Sequence, residues 1–295
     1  MSGGDALRPA VSESAKRLLG FLQKTQEPDG SWLVPYTGPN FLLPLYVITT
    51  YLTRHPVSET ERARFVAGLL KPQLPDGSIG LHEESVRGAV FTSSISYAAL
   101  RLLGEKPDRI ELARLRDWIH RMGTPVKAAA WGKFILSILN LYDWSGVSPV
   151  PPELYLLPKW FPLQPINISG YVRVVYLPMA YFYGHRWQAP LDPLLREIRG
   201  ELFPQGFDQI HWPRHRGDLA PTDHIVPEGF LLKVCLPLVR RLEKWIPSWI
   251  RRKALALPKE GVGLGLRTHL LRRRTIGLCP SSPGECLLQH PDPFY

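Results

Sequence analysis

A chain of 295 residues with 44% hydrophobic and 21% charged residues can bury one large core or two small ones, which excludes a disordered polymer. Its net charge is +10, but residues 239–274 hold eleven Lys/Arg against two Glu, so the remainder is almost neutral and a uniformly basic nucleic-acid surface is excluded. Cys235, Cys279 and Cys286 form neither a disulfide framework nor a zinc spacing, and no uncharged apolar run reaches the ~18 residues of a membrane-crossing helix.

The opening "MSGGDALRPAVSES" is polar, reads as no secretory signal, and makes residues 1–13 a loose tail. Leu18, Leu19, Phe21 and Leu22 then set a helical stripe over 14–26. Helices follow at 41–52 and at 58–71, the latter opened by "SETE", a capping box from Ser58 to Glu61. Further helices are expected at 89–103, 109–121 and 128–141. A Pro-rich aromatic run comes next, "SPVPPELYLLPKWFPLQP", then a long apolar helix at 166–185 interrupted by Pro178, and helices at 191–201 and 226–245. No period-2 strand pattern occurs, so the fold class is all-α, built from helix pairs. The stretch after residue 258 has an Arg triplet, Pro/Cys/Ser clusters and no apolar period. Residues 258–295 therefore read as an irregular or disordered tail, and a shifted reading frame would produce such text.

One pattern occurs twice. Gln26, Asp29, Gly30 and Trp32 in "QEPDGSW" are matched by Gln73, Asp76, Gly77 and Ile79 in "QLPDGSI", 47 residues later. That spacing lies in the range of helix-pair repeats. A Gln after a helix can donate and accept at once, so it can satisfy orphan backbone groups at the end of one helix and the start of the next. A Trp beyond the turn can lie over the junction.

These two segments resemble the QW motifs of the terpene cyclase/mutase family. "YTGPNFLLP", "LPDGSIGLHEES", "AAAWGKFILSILNLYDWSG" and "RVVYLPMAYFYG" look like the N-terminal half of 2,3-oxidosqualene cyclases, over residues 15–255; "VPPE" is also similar to squalene–hopene cyclases. The resemblance implies an α/α barrel (toroid) over 14–257, the smaller N-terminal barrel of a triterpene cyclase. It implies an isomerase that cyclises 2,3-oxidosqualene, or squalene, to a sterol-type precursor. The family works without a cofactor or metal, binds one membrane leaflet monotopically, and would be cytoplasmic on the endoplasmic reticulum or lipid droplets in a eukaryote. The acid motif of its second barrel, Asp-Cys-Thr-Ala-Glu or Asp-x-Asp-Asp, is not in this sequence. The expectation is therefore a fragment with no catalytic residue, inactive alone, or one half of a split enzyme completed by a separately encoded chain.

The resemblance also implies cavity or channel positions. Trp131 and Tyr36 match aromatic cavity-lining residues, which suits carbocation chemistry because ring faces attract cations without capturing them. Tyr176 matches a residue near the substrate channel. "SGYVR" departs from the family's Trp-Cys-His-Cys-Arg: Ser169 replaces the Trp and Tyr171 the His, so the product cannot be inferred. Core packing is the plain alternative for each aromatic. The stretch 153–183 carries only Glu153, Lys159 and Arg173 as charges, which fits an interfacial surface, with Leu156, Leu157, Trp160 and Phe161 exposed. The basic segment "RRLEKWIPSWIRRKALAL" suits anionic headgroups, or is a solvated helix face. His211, His215 and His224 with Asp208, Asp218 and Asp223 invite a metal reading, but the stretch reads as a loop with helix caps. Two competing readings are an isoprenoid-lipid-binding barrel without chemistry and a prenyltransferase β-type toroid, whose zinc ligands the cysteines here do not match.

Overall fold

The computed structural model describes residues 4–26, 28, 30, 38–162, 164–167, 170–224, 241 and 243–256. Trp32, Tyr36, Ser169, most of the helix expected at 226–245 and the tail 258–295 lie outside the described residues. Two compact units are formed, residues 1–37 with 267–295, and residues 38–266.

In the first unit, helix α1 spans Gly4–Thr25, so it begins ten residues before the expected start and takes in most of the stretch read as a loose tail. Its apolar stripe is solvated: Leu18, Leu19 and Phe21 are each more than half exposed. Gln26 donates from Nε2 to the Gly30 carbonyl at 2.8 Å, closing the turn behind the helix.

The second unit holds α2 (Leu42–Leu52), α3 (Glu59–Leu70), α4 (Val90–Leu102), α5 (Ile110–Arg121), α6 (Ala130–Ile138), α7 (Gly170–His185), α8 (Pro193–Leu202) and α9 (248–256). No strand occurs among the described residues, only isolated bridges at Pro39–His82 and Gln73–Ile79. The expected capping box opens α3: the Glu61 amide donates to Ser58 Oγ and the Ser58 amide to the Glu61 carboxylate. Helix α6 is shorter than expected, because Asn140 takes a left-handed φ of 61° and donates to the Ala189 carbonyl. Helix α7 starts at Gly170, after a 3₁₀ turn at Pro165–Asn167, and continues through Pro178 instead of breaking. The missing donor is tolerated because Ala180 and Tyr183 beyond it are fully buried.

Helix α4 is the hub, with every residue from Val90 to Arg101 buried. It packs against α2, α5, α6 and α8. Small residues on it, Ser93, Ser94, Ser96, Ala98 and Ala99, allow that many neighbours to approach. At its C-terminal end the buried Arg101 pairs with Glu201 at 2.9 Å and Glu197 at 3.1 Å on α8, and Tyr97 donates to Glu201 at 2.8 Å.

The repeated turn joins the outer helices. Gln73, just past α3, donates from Nε2 to the Gly77 carbonyl at 2.9 Å and to the Glu111 carbonyl in the first turn of α5 at 2.8 Å. Gly77 sits at φ +93°, and a Cβ there would stand 2.7 Å from the Arg114 carbonyl oxygen, so the turn needs glycine on both counts. Ile79 is fully buried, and its carbonyl accepts from the Ala89 amide and the Thr92 hydroxyl at the start of α4. Arg114, Trp118 and Arg121 lie on the face of α5 that also carries Glu111, and they grip residues 75–76: Arg114 donates to the Pro75 carbonyl, Arg121 to that of Asp76, and the Trp118 indole to the Asp76 carboxylate. Burial raises the Asp76 carboxyl, but the Ser78 and Trp118 donors outweigh it and hold the group below the usual carboxylate range.

Gln73→Ala should therefore cost about 1–3 kcal/mol in urea denaturation, since it removes the bond that closes the turn and the bond that ties it to α5. Gln26→Ala, whose one bond among the described residues is exposed, should stay within about 0.5 kcal/mol.

Candidate functional site

The segments that precede α2, α4 and α6 come together at one end of the unit. Phe41, at the start of α2, stacks on Phe91 at the start of α4 with ring centroids 5.8 Å apart. Asn40 donates to the Gly80 carbonyl at 3.0 Å and its amide to that of Leu81 at 2.9 Å, which fixes this entry segment against the loop before α4. The Phe91 ring lies on Gly132 of α6, where a Cβ would come within 2.9 Å of it. Glycine here lets the first turn of α6 close on α4. Trp131 is the neighbouring residue, and it is 43% exposed. So a large aromatic side chain stands partly open to solvent at the end where three helices begin, one residue from the glycine on which the Phe91 ring lies.

One side chain holds that end together. The Asp223 carboxylate, buried in a 3₁₀ turn at Pro221–Asp223, accepts from the Val90 amide at 2.5 Å and the Phe91 amide at 2.9 Å, and from the Ala129 amide at 2.9 Å. It thus caps α4 and α6 at once, although neither supplies its own side-chain cap. Burial pushes the Asp223 carboxyl above its usual range, against the three backbone donors and the Thr222 hydroxyl, which pull it down. Lys133, one turn into α6 and 1% exposed, donates from Nζ to the carbonyls of His215 at 2.6 Å and Asp218 at 2.7 Å. Residues 211–224 therefore form a strap bolted across the helix ends. His215 Nδ1 lies 2.7 Å from the Asp218 carboxylate. No cluster among the described residues could hold a metal ion, and Asp223 in particular has both oxygens committed to backbone.

The other expected positions fall elsewhere or outside view. Tyr176 is half-buried on α7, donates to the Pro151 carbonyl at 3.0 Å and sits 5.9 Å from the Tyr155 ring. Burial, with Tyr155 and Glu153 nearby, drives its hydroxyl far above the ordinary tyrosine value, so it acts as a neutral donor. Tyr171 lies in the first turn of α7, with its side chain outside the described residues. Sequence reading missed Lys133 and Phe91, and met Asp223 only in the metal reading of 208–224, not as the cap of α4 and α6. The Lys inside the apolar run "AWGKFILSI" was the available signal, since a lysine there must find carbonyls or leave the core. Asp223 acts on amides 94 to 133 residues away, and no local pattern reports that.

A second cluster gathers around α7 and α9. Glu243 accepts from Tyr183 at 2.7 Å and Arg186 at 2.8 Å, and Arg251 pairs with Glu153. Leu255 and Pro152 close on Gly184, where a Cβ would meet Leu255 at 2.5 Å. Trp245 and Trp249 in this part of the chain are 84% and 61% exposed, and Trp160 is 79% exposed as expected, whereas Leu156, Leu157 and Phe161, expected to be exposed, are half-buried.

Comparison with known proteins places residues 11–260 on the squalene-hopene cyclase N-terminal domain. The chain is similar to lanosterol synthase of Mus musculus, 37% identical over 250 residues that make up 85% of this chain and 34% of that protein. It is 38% identical to lanosterol synthase of Homo sapiens over 243 residues, 82% of this chain and 33% of the relative. It is 34% identical to cycloartenol synthase of Dictyostelium discoideum over 255 residues, 86% and 36% respectively. The chain spans about a third of the length of these relatives.

Replacing Asp223 tests the strap. Asp223→Ala should lower unfolding free energy by about 2–4 kcal/mol at neutral pH, because it uncaps two helices and strands buried amides. The folded carboxyl titrates above the unfolded one. The folded chain therefore holds that proton more tightly, and the group's contribution is largest below about pH 4 and declines as pH rises through the folded value. The deficit of the variant should shrink over that same rise, measured as the difference between paired denaturation curves.

Proposed function

The chain belongs to the squalene-hopene cyclase N-terminal domain family, and on that premise we propose that it forms one wall of a triterpene cyclase cavity of the oxidosqualene cyclase type. The observation that carries this reading is Trp131, an aromatic face left open at the gathered starts of α2, α4 and α6. Cyclisation of a squalene epoxide passes through carbocations, and a wall that stabilises them must offer ring quadrupoles and no nucleophile. Phe41 and Phe91, stacked on each other at the same end, add apolar rings to it. The buried acid at this end, Asp223, does not serve as the proton donor: both of its oxygens are turned into helix starts and away from any substrate. The acid is supplied from another part of the enzyme, on the same chain or on a separate one. Tyr36, Ser169, Tyr171 and Tyr176 complete the wall and channel in this proposal, with an isoprenoid as ligand.

The exposed Trp245 and Trp249, with Arg252 and Lys253 exposed on α9 beside Trp249, and the exposed Trp160 favour a peripheral, monotopic site on a membrane surface. No helix among the described residues is long and apolar enough to cross a membrane.

Two measurements check these points. Purified chain should bind 2,3-oxidosqualene without converting it, and Trp131→Ala should weaken binding about tenfold, in line with the loss of one large aromatic contact; turnover by the chain alone, or unchanged binding in the variant, contradicts the reading. In flotation with vesicles of phosphatidylcholine and phosphatidylserine at low salt, the chain should rise with the lipid and Trp245→Ser/Trp249→Ser should lag. A chain that stays at the bottom sinks the membrane reading.

A further inference from the structure

At the other ends of α2 and α4, away from Trp131, a cleft of about 590 Å³ opens. That is the size range of sites for small organic ligands, about 300–1,000 Å³. Its floor is apolar: Val47, Leu52, Leu102 and Leu103 line it, and Trp187, 40% exposed, forms one side. Its polar groups differ in what they have left to offer. Tyr51 donates to Asp192, whose other oxygen accepts the Leu195 amide at 2.8 Å as the cap of α8. Arg62 is saturated by Glu59, Glu105 and the Leu103 carbonyl. Arg54 and His55, both exposed at the rim, remain. Among the described residues Arg54 has no carboxylate or carbonyl partner for its guanidinium. The nearby Glu61 carboxylate feels His55 but is engaged by Ser58.

The backbone at Arg54 adds a second observation. It stands two residues past the end of α2, just after the C-cap Thr53, with φ +52°, the left-handed position that closes a helix. Helices α4 and α5 close the same way with Gly104 and Gly123. An arginine there carries strain that a glycine would not, and it sets a guanidinium with five donors at the rim of an apolar cleft.

We propose that this cleft binds a single-chain anionic amphiphile, a fatty carboxylate. Its carboxylate pairs with Arg54, with His55 beside it, and its alkyl chain lies on Leu52, Leu102, Leu103 and Trp187. An arginine fork matches a carboxylate bidentately. The carboxylates nearby are already committed, so the anion meets an open cation.

The test is calorimetric titration of the full chain with sodium decanoate below its micelle concentration, against decanol and decyltrimethylammonium. Decanoate should bind at least about tenfold more tightly than decanol, the scale of a charge-assisted pair. Arg54→Gly should lose that advantage while its thermal midpoint rises, because glycine relieves the left-handed position. Trp187→Ala should weaken decanoate and decanol alike, by removing apolar contact only. Equal binding of decanoate and decanol, preference for the ammonium, no binding of decanoate, or unchanged affinity in Arg54→Gly would each overturn the proposal. A raised midpoint with unaltered affinity would mark Arg54 as strained for some other reason and overturn it as well.

Discussion

The architecture of this chain depends on one carboxylate that three backbone amides share. Helices begin with unsatisfied N–H groups, and a helix start buried among other helices has no water to satisfy them. The sequence offers no Ser, Thr, Asp or Asn at Ala89 or Ala129, where α4 and α6 begin. Asp223 supplies both caps from a distant turn, and the strap that carries it is fixed in its own right by Lys133. Because α4 is the hub, whatever holds its first turn sets where α2, α5, α6 and α8 pack around it. The same device leaves Trp131, two residues past the second cap, in a defined place instead of on a fraying end.

A second, weaker constraint acts on the outside. Gln73 and the turn behind it tie α3 to α5, and the face of α5 from Glu111 to Arg121 returns the grip through a carbonyl, two arginines and an indole. The turn also feeds Ile79 into the base of α4. Inner and outer helices are thereby joined through one short loop, which explains why the sequence spends a glycine at Gly77 and an apolar residue two positions later.

Much of this was legible in the sequence. The helix pairs, the capping box at Ser58 and Glu61, and the role of a Gln after a helix follow from local periodicity and local hydrogen-bond chemistry. What escaped was set by long-range geometry. The six His and Asp residues of 208–224 invited a metal reading, whereas their strongest contact, Asp223 to two helix starts, joins segments far apart in the chain. Pro178 read as a break because local rules see the lost donor and not the buried Ala180 and Tyr183 beyond it. The stripe of α1 was legible as a helical period, and the structure leaves Leu18, Leu19 and Phe21 on it solvated. In the second turn the expected Trp is Ile79, and the indole at that junction comes instead from Trp118 on the neighbouring helix.

In the proposed function, these features would divide the labour. A wall for cation chemistry needs rigid aromatic faces, and the capped helix starts would provide rigidity while the rings provide the face. The account is tested most directly by native-state hydrogen exchange at the amides of Val90, Phe91 and Ala129, in the chain and in Asp223→Ala. It predicts that all three exchange only with global unfolding of residues 38–266, and that all three accelerate together in the variant, ahead of mid-helix amides such as Ala98 and Leu136. Three amides exchanging independently in the unaltered chain, or unaffected by the substitution, would contradict it.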